Sequence, residues 1–159
     1  MIEIREIKPS EYEFLREMLY EAIYIPVGSE KPPKSIVSSP HFLKYCDNFG
    51  QKNDCAYGLI DENNLVGVAW TRIFSEAEAS YGFVDEETPE LSIAIKEKYR
   101  NRGFGGLMLE KLFEKLFSEG FEQISLSVDK RNPAVSLYLR KGFEIVAEKG
   151  TAFTMLKKL

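Results

Sequence analysis

The sequence predicts a mixed α/β fold (α+β in its sheet pairing) built as one unit over residues 1–159. Short β-branched runs interleave with amphipathic stretches along the whole chain. No linker, repeat or low-complexity segment divides it. A chain of 159 residues can bury one sizeable core but hardly two.

The elements follow in order. Ile2 and Ile4 alternate as a first strand. Ser10, with Glu13 three residues on, reads as a capping box that opens a helix with Phe14, Leu15, Met18, Leu19 and Ala22 as its buried stripe. Pro26, Gly28, Pro32, Pro33 and Pro40 make 26–40 an irregular loop, and a short helix is expected over 40–49. Cys55–Ile60 and Leu65–Phe74 read as a hairpin joined through Asp61-Glu62-Asn63-Asn64. An acidic loop follows, then a strand after Pro89, Leu91-Ser92-Ile93-Ala94-Ile95. Leu109, Leu112, Phe113, Leu116 and Phe117 recur at helical spacing until Gly120 stops the run. Ile124–Val128 is the next strand. A helix after it has Asn132 as N-cap, Pro133 at its first position and Gly142 as its C-terminal cap. Phe143–Ala147 and Ala152–Leu156 are the last strands.

Composition removes several function classes. The 44% hydrophobic and 29% charged fractions are those of a soluble globular chain. No apolar run approaches the roughly twenty residues of a membrane span, and Met1-Ile2-Glu3-Ile4-Arg5 lacks the layout of a secretion signal. Cys46 and Cys55 make neither metal-ligand spacing nor a disulfide framework, so reduced thiols and a cytoplasmic location are expected. His41, the single histidine, reads as a surface or packing residue, leaving zinc chemistry and a histidine triad little to build on. A net charge of −4 argues against general nucleic-acid binding.

Tyr99-Arg100-Asn101-Arg102-Gly103-Phe104-Gly105-Gly106 stands between a strand and an amphipathic helix. Such a turn leaves the first helical N–H groups without intrahelical partners, where the helix dipole favours an anion. Glycines at 103, 105 and 106 keep side chains away from those amides, and Arg100 and Arg102 add charge. The expected ligand is a pyrophosphate. A P-loop would close on Gly-Lys-Ser/Thr, whereas Gly105 is followed by Gly106-Leu107. A dinucleotide fingerprint would want a small residue at 108, which is Met108, and an acidic residue ending the next strand.

Arg100 through Gly105 resembles motif A of the GNAT-type N-acetyltransferases, Gln/Arg-x-x-Gly-x-Gly/Ala. Asn132-Pro133-Ala134-Val135-Ser136-Leu137-Tyr138, followed by Gly142-Phe143, resembles the family's motif B. Both stand in the family's order, and the close resemblance covers about residues 89–145. It implies a central, mostly antiparallel twisted sheet flanked by helices, with the motif A and motif B strands parallel but splayed at one end. It implies acetyl-CoA as co-substrate, no metal, and a pantetheine arm lying in the splay against Ile93, Ala94 and Ile95 like an added strand. The pyrophosphate falls on Arg100, Asn101, Arg102, Gly103, Phe104, Gly105, Gly106 and Leu107. An Ile93 N–H would stabilise the thioester oxyanion.

Two catalytic assignments follow from the resemblance. Tyr138 matches the tyrosine that protonates the departing CoA thiolate; by spacing alone it is equally a core aromatic beside Ala134 and Leu137. Glu90 matches a carboxylate that takes the amine's proton, or it is a solvated charge at a strand end, with Asp85, Glu86 and Glu87 as competitors. Asn132 would contact the pantetheine amides while capping its helix. Lys96, Lys98, Arg100, Arg102, Lys130 and Arg131 cluster around the two turns, and an acidic loop beside them would draw a cationic amine. The expected activity is acetyl transfer to a primary amine, small or peptidic, by direct attack on the thioester. The alternative is a non-catalytic acyl-CoA sensor on the same fold. The family's frequent dimers make a homodimer an expectation, and neither nucleic acid nor membrane is an expected partner.

Overall fold

Seven strands make one sheet in the computed structural model, which describes residues 1–159. They are β1 (Ile2–Glu6), β2 (Cys55–Asp61), β3 (Asn64–Arg72), β4 (Glu90–Ile95), β5 (Gln123–Asp129), β6 (Glu144–Lys149) and β7 (Ala152–Lys158), in the order β1-β2-β3-β4-β5-β7-β6. Every neighbouring pair is antiparallel except β4 and β5. The β2–β3 hairpin closes on Glu62 and Asn63, both at positive φ, the backbone a tight two-residue hairpin turn requires.

Helices cover both faces. On one lies α3 (Phe104–Ser118) with α4 (Ala134–Arg140), burying Met108, Leu109, Leu112 and Leu116 against Leu91, Ile124, Leu126 and Met155. The predicted stripe differs at one end: Phe117 is 68% exposed and Met108 takes its place. Phe117 stands about 100° round the helix from Leu116, past the edge of the covered face. On the other face α1 (Phe14–Glu21) buries Leu15, Met18 and Leu19 against Val68, Trp70 and Ala94.

Two helix starts or ends depart from the expectation. The N-terminal box is built two residues earlier than Ser10 and Glu13. A 3₁₀ turn spans Pro9–Glu11, Lys8 N–H donates to Glu11 Oε1 at 2.6 Å, and Arg5 of β1 grips the same carboxylate at 2.9 Å. Ser10 caps nothing, and α1 begins at Phe14. The helix expected over 40–49 is only α2 (Pro40–Leu43). The carbonyls that would carry it onward are taken by β3 side chains. Trp70 Nε1 donates to Tyr45 O at 2.8 Å, and Arg72 Nη1 donates to Lys44 O at 3.0 Å and Asp47 O at 2.5 Å.

Arg72 also pairs with Asp54 at 3.1 Å, their side chains 11% and 5% exposed, so this guanidinium ties three segments together away from water. Removing one member of a buried pair leaves the other charge uncompensated. Asp54→Ala should therefore lower the unfolding free energy by about 3 kcal/mol in a denaturant titration. An unchanged midpoint would show the pair to be solvated.

Candidate active site

β4 and β5 touch at one point. Glu90 is in register with Ser125, Ser125 N–H donates to Pro89 O at 3.0 Å, and no further residue pairs. Beyond it the strands part. Leu137 of α4 stands in the opening under α3, where a Cβ on Gly105 would lie 3.4 Å from Leu137 Cδ2, 3.7 Å from Ile95 Cδ1 and 3.9 Å from Ile93 Cδ1.

The free edge of β4 can be read from its ladder. Lys96 N–H donates to Val66 O, so even-numbered residues of β4 direct their main-chain groups to β3. Leu91 N–H faces Ser125 at the contact point, and Ile93 and Ile95 direct their main-chain groups into the opening. Ala94, expected to meet the pantetheine arm, instead spends its N–H and C=O on β3 and turns its methyl to the α1 core. Ile93 keeps both groups available. The Ile95 carbonyl accepts from Arg100 Nε at 2.7 Å.

The cradle is formed by the backbone. Asn101 and Gly103 take positive φ of 60° and 83°, a conformation asparagine tolerates and glycine adopts freely. The first intrahelical bond of α3 runs from Leu107 N–H to Gly103 O. Phe104, Gly105 and Gly106 therefore present amides without helical partners, and no side chain caps them. The two arginines separate. Arg102 carries no carboxylate and lies over the rings of Tyr99 and Phe104, at 5.7 and 5.1 Å. Arg100, expected in the cradle, is turned back to Ile95 O and to Glu21 Oε2 at 3.3 Å, closing the end of β4.

Tyr138 is 7% exposed, edge-on to Phe143 at 5.8 Å, and its hydroxyl meets no protein hydrogen-bond partner. Burial pushes its pKa up to about 12. Asn132 does cap its helix: its Oδ1 accepts from Ala134 N–H at 2.9 Å, which leaves its amide NH2 free for another acceptor.

Glu90 is no solvated strand end. It is 4% exposed, on the α1 face, under residues 80–83. Ser80 Oγ donates to its Oε1 at 2.5 Å. Burial raises the carboxyl pKa above 4.5, outweighing the Ser80, Tyr45 and Gly82 hydrogen bonds that favour the charged form. Gly82 is needed here, since a Cβ would lie 2.6 Å from the Leu126 carbonyl carbon and 2.8 Å from Glu90 Oε1. Asp85, by contrast, is held low by Thr88, and binds the loop to itself. Ser80, Gly82 and Tyr45 carried no local signal, because only the path of the acidic loop brings them to Glu90. Thr71 Oγ1 and Ser125 Oγ are fully buried without partners, the latter one strand over from Glu90. Both cysteines are buried and free, and burial raises both thiols, Cys55 to about 12, so neither is poised as a nucleophile.

A sheet that opens between two parallel strands, over a helix N-terminus stripped of side chains, defines the acetyltransferase class of α/β fold. Residues 13–143 match the Acetyltransferase (GNAT) family, and the chain belongs to it. It is 36% identical over 102 residues to a mycothiol acetyltransferase of Corynebacterium jeikeium, covering 62% of this chain and 27% of that protein. A second, from Corynebacterium aurimucosum, is 31% identical over 85 residues, 53% of this chain and 26% of that protein. The chain thus spans about a quarter of the length of these curated relatives. Among solved structures, the PaiA N-acetyltransferase of Thermoplasma acidophilum in complex with coenzyme A superposes with TM-score 0.70 at 21% identity, covering 100% of this chain and 99% of that one. The ribosomal-protein-S18-alanine N-acetyltransferase of Escherichia coli gives 0.67 at 18% identity, covering 99% and 94%. These likenesses show the fold. No helix is long and apolar enough to cross a membrane.

Proposed function

We propose that the chain transfers an acetyl group from acetyl-CoA to a primary amine bound beside the splay. The observation that carries this reading is the free β4 edge running from the unpaired Ile93 groups to the uncapped amides of α3. A pantetheine arm needs main-chain partners and a pyrophosphate needs N–H donors, and both are available along one line. Acetyl-CoA supplies the activated acyl group as its thioester. The Ile93 N–H favours charge developing on an oxygen in the opening. The Tyr138 phenol, neutral across the physiological range, holds a proton that a departing thiolate can take. Glu90, with its raised pKa, accepts the amine's proton through the Ser80 hydroxyl, which can pass its own proton on while taking another. Acidic side chains on the loop between β3 and β4 favour a cationic acceptor.

An acceptor panel with acetyl-CoA, followed by thiol release, tests the reading. It should include polyamines, amino acids, peptide N-termini and, given the curated relatives' name, a mycothiol-type acceptor. Turnover on any amine is the expected result; tight acetyl-CoA binding with no turnover on all of them would favour the sensor reading. The cradle has its own check. Gly105→Val places branches against Leu137, Ile95 and Ile93, in the opening that the arm would enter, and should raise the Kd for acetyl-CoA by about tenfold or more in calorimetry. Unchanged affinity in a folded variant would remove the cradle from the site.

A further inference from the structure

Four of the six cations that crowd the two turns in sequence have surface carboxylate partners in the fold. Lys96 pairs with Glu17 at 3.4 Å, Arg100 with Glu21 at 3.3 Å, Lys130 with Glu148 at 3.4 Å and Arg131 with Asp129 at 2.8 Å. Of that group Lys98, over the Tyr99 ring at 5.7 Å, and Arg102 have no carboxylate partner, and Arg102 stands at the cradle over Phe104. A cation from another element stands beside Gly106 in the first turn of α3. Lys141 follows the last residue of α4, three positions after Tyr138, and its N–H donates to the Leu137 and Tyr138 carbonyls. Its side chain crosses to α3, where a Cβ on Gly106 would lie 3.2 Å from Lys141 Cε and 3.5 Å from Nζ. Nζ donates to Glu110 Oε1 at 2.8 Å, one turn further along α3.

Resting on the acetyl-CoA reading above, we propose that Lys141, with Arg102, supplies the side-chain charge that binds the pyrophosphate, and that Glu110 holds Lys141 over the cradle until phosphate replaces it. The chemistry favours the exchange. The Lys141–Glu110 pair is 27% and 54% exposed, and such pairs contribute little, so releasing it opposes binding only weakly. An ammonium keeps three donors on a flexible stem and can turn from one acceptor to another a few ångströms away. Its backbone is fixed at the end of the Tyr138 helix, so the same short element carries the proton donor and the phosphate cation. Arg100 differs in its 2.7 Å bond to Ile95 O, which turns it toward the strand end; its Glu21 pair is as exposed as that of Lys141.

Calorimetric titration of the parent and three variants with acetyl-CoA, at low and high salt, tests the assignment, with S-acetyl-pantetheine as a ligand lacking the pyrophosphate. Lys141→Gln should raise the Kd for acetyl-CoA about tenfold and flatten its salt dependence, with the affinity for S-acetyl-pantetheine unchanged. Glu110→Gln frees the ammonium and should tighten acetyl-CoA by about two- to threefold. Lys141→Arg should stay near the parent. A Lys141→Gln Kd within about twofold of the parent, an equal loss for both ligands, or weaker binding by Glu110→Gln would overturn the proposal. Should Lys141→Gln fail to fold, the sign of the Glu110→Gln effect decides. Failure of the parent to bind acetyl-CoA would remove the cofactor reading itself and this proposal with it, whereas parent binding with indifferent variants removes only the role of Lys141.

Discussion

Tyr138→Phe is expected to lower turnover by about 10²–10⁴-fold while leaving the melting temperature where it was. The two halves of that expectation have separate causes. The ring is held by Phe143 and the α3 core, and phenylalanine keeps the ring. The hydroxyl makes no protein hydrogen bond, so its removal leaves no partner unsatisfied, and the usual loss of about 0.5–1.5 kcal/mol for a broken hydrogen bond does not apply. A polar group kept in a largely buried place without a structural partner is a candidate for chemistry. What remains is the proton: a CoA thiolate, with an intrinsic pKa near that of cysteine at about 8.5, leaves more easily when a phenol donates to it. A melting curve, a cofactor titration and single-turnover kinetics on one preparation separate the outcomes. Parent-like turnover would exclude the general-acid role, and a lowered melting temperature with intact chemistry would return Tyr138 to the core.

What the sequence made legible was local. The glycine turn and the Asn132 cap each depend on a few adjacent residues and stand where backbone preference puts them. The polar Asp61–Asn64 break between two apolar runs marked the hairpin, although Glu62 turns at a positive φ that glutamate does not favour. The interleaving of elements gave the fold class for the same reason. Distant side chains account for the rest. Arg72 and Trp70 end α2 early by capturing carbonyls 25 to 28 positions upstream. Arg5 moves the first capping box by holding Glu11. Glu21, far from motif A in the chain, pairs with Arg100, and α4 places the Lys141 side chain beside Gly106, 35 positions away. Charge counted along a sequence does not show which charges are already paired. Ala94 shows the limit at finer scale: a strand can be located from composition, but which of its residues face the gap follows from the register with β3.

Glu90→Gln should depress the acetyl-transfer rate at neutral pH by up to about 10²–10⁴-fold and recover part of it at alkaline pH, where free amine is already abundant. The burial that makes Glu90 a poor surface charge makes it a suitable base, because a carboxyl whose pKa lies above 4.5 takes up a proton closer to neutrality. The same shift has a stability consequence of definite sign. A group whose folded pKa is raised contributes stability that is fully present below the unfolded value and is lost as pH rises through the folded one. Ionising Glu90 in its buried seat therefore weakens the parent at neutral pH, and glutamine, which cannot ionise, escapes that loss while still accepting from Ser80. Melting temperatures of parent and variant compared across a pH series should move apart in the variant's favour as pH climbs through the folded pKa. The kinetic and thermal measurements bear on different claims. A pH–rate profile that superimposes on the parent's would take Glu90 out of proton transfer, whatever the melting curves do. A melting difference constant with pH would mean that the folded and unfolded pKa values coincide, so that burial does not raise the Glu90 carboxyl and the seat does not tune it as a base.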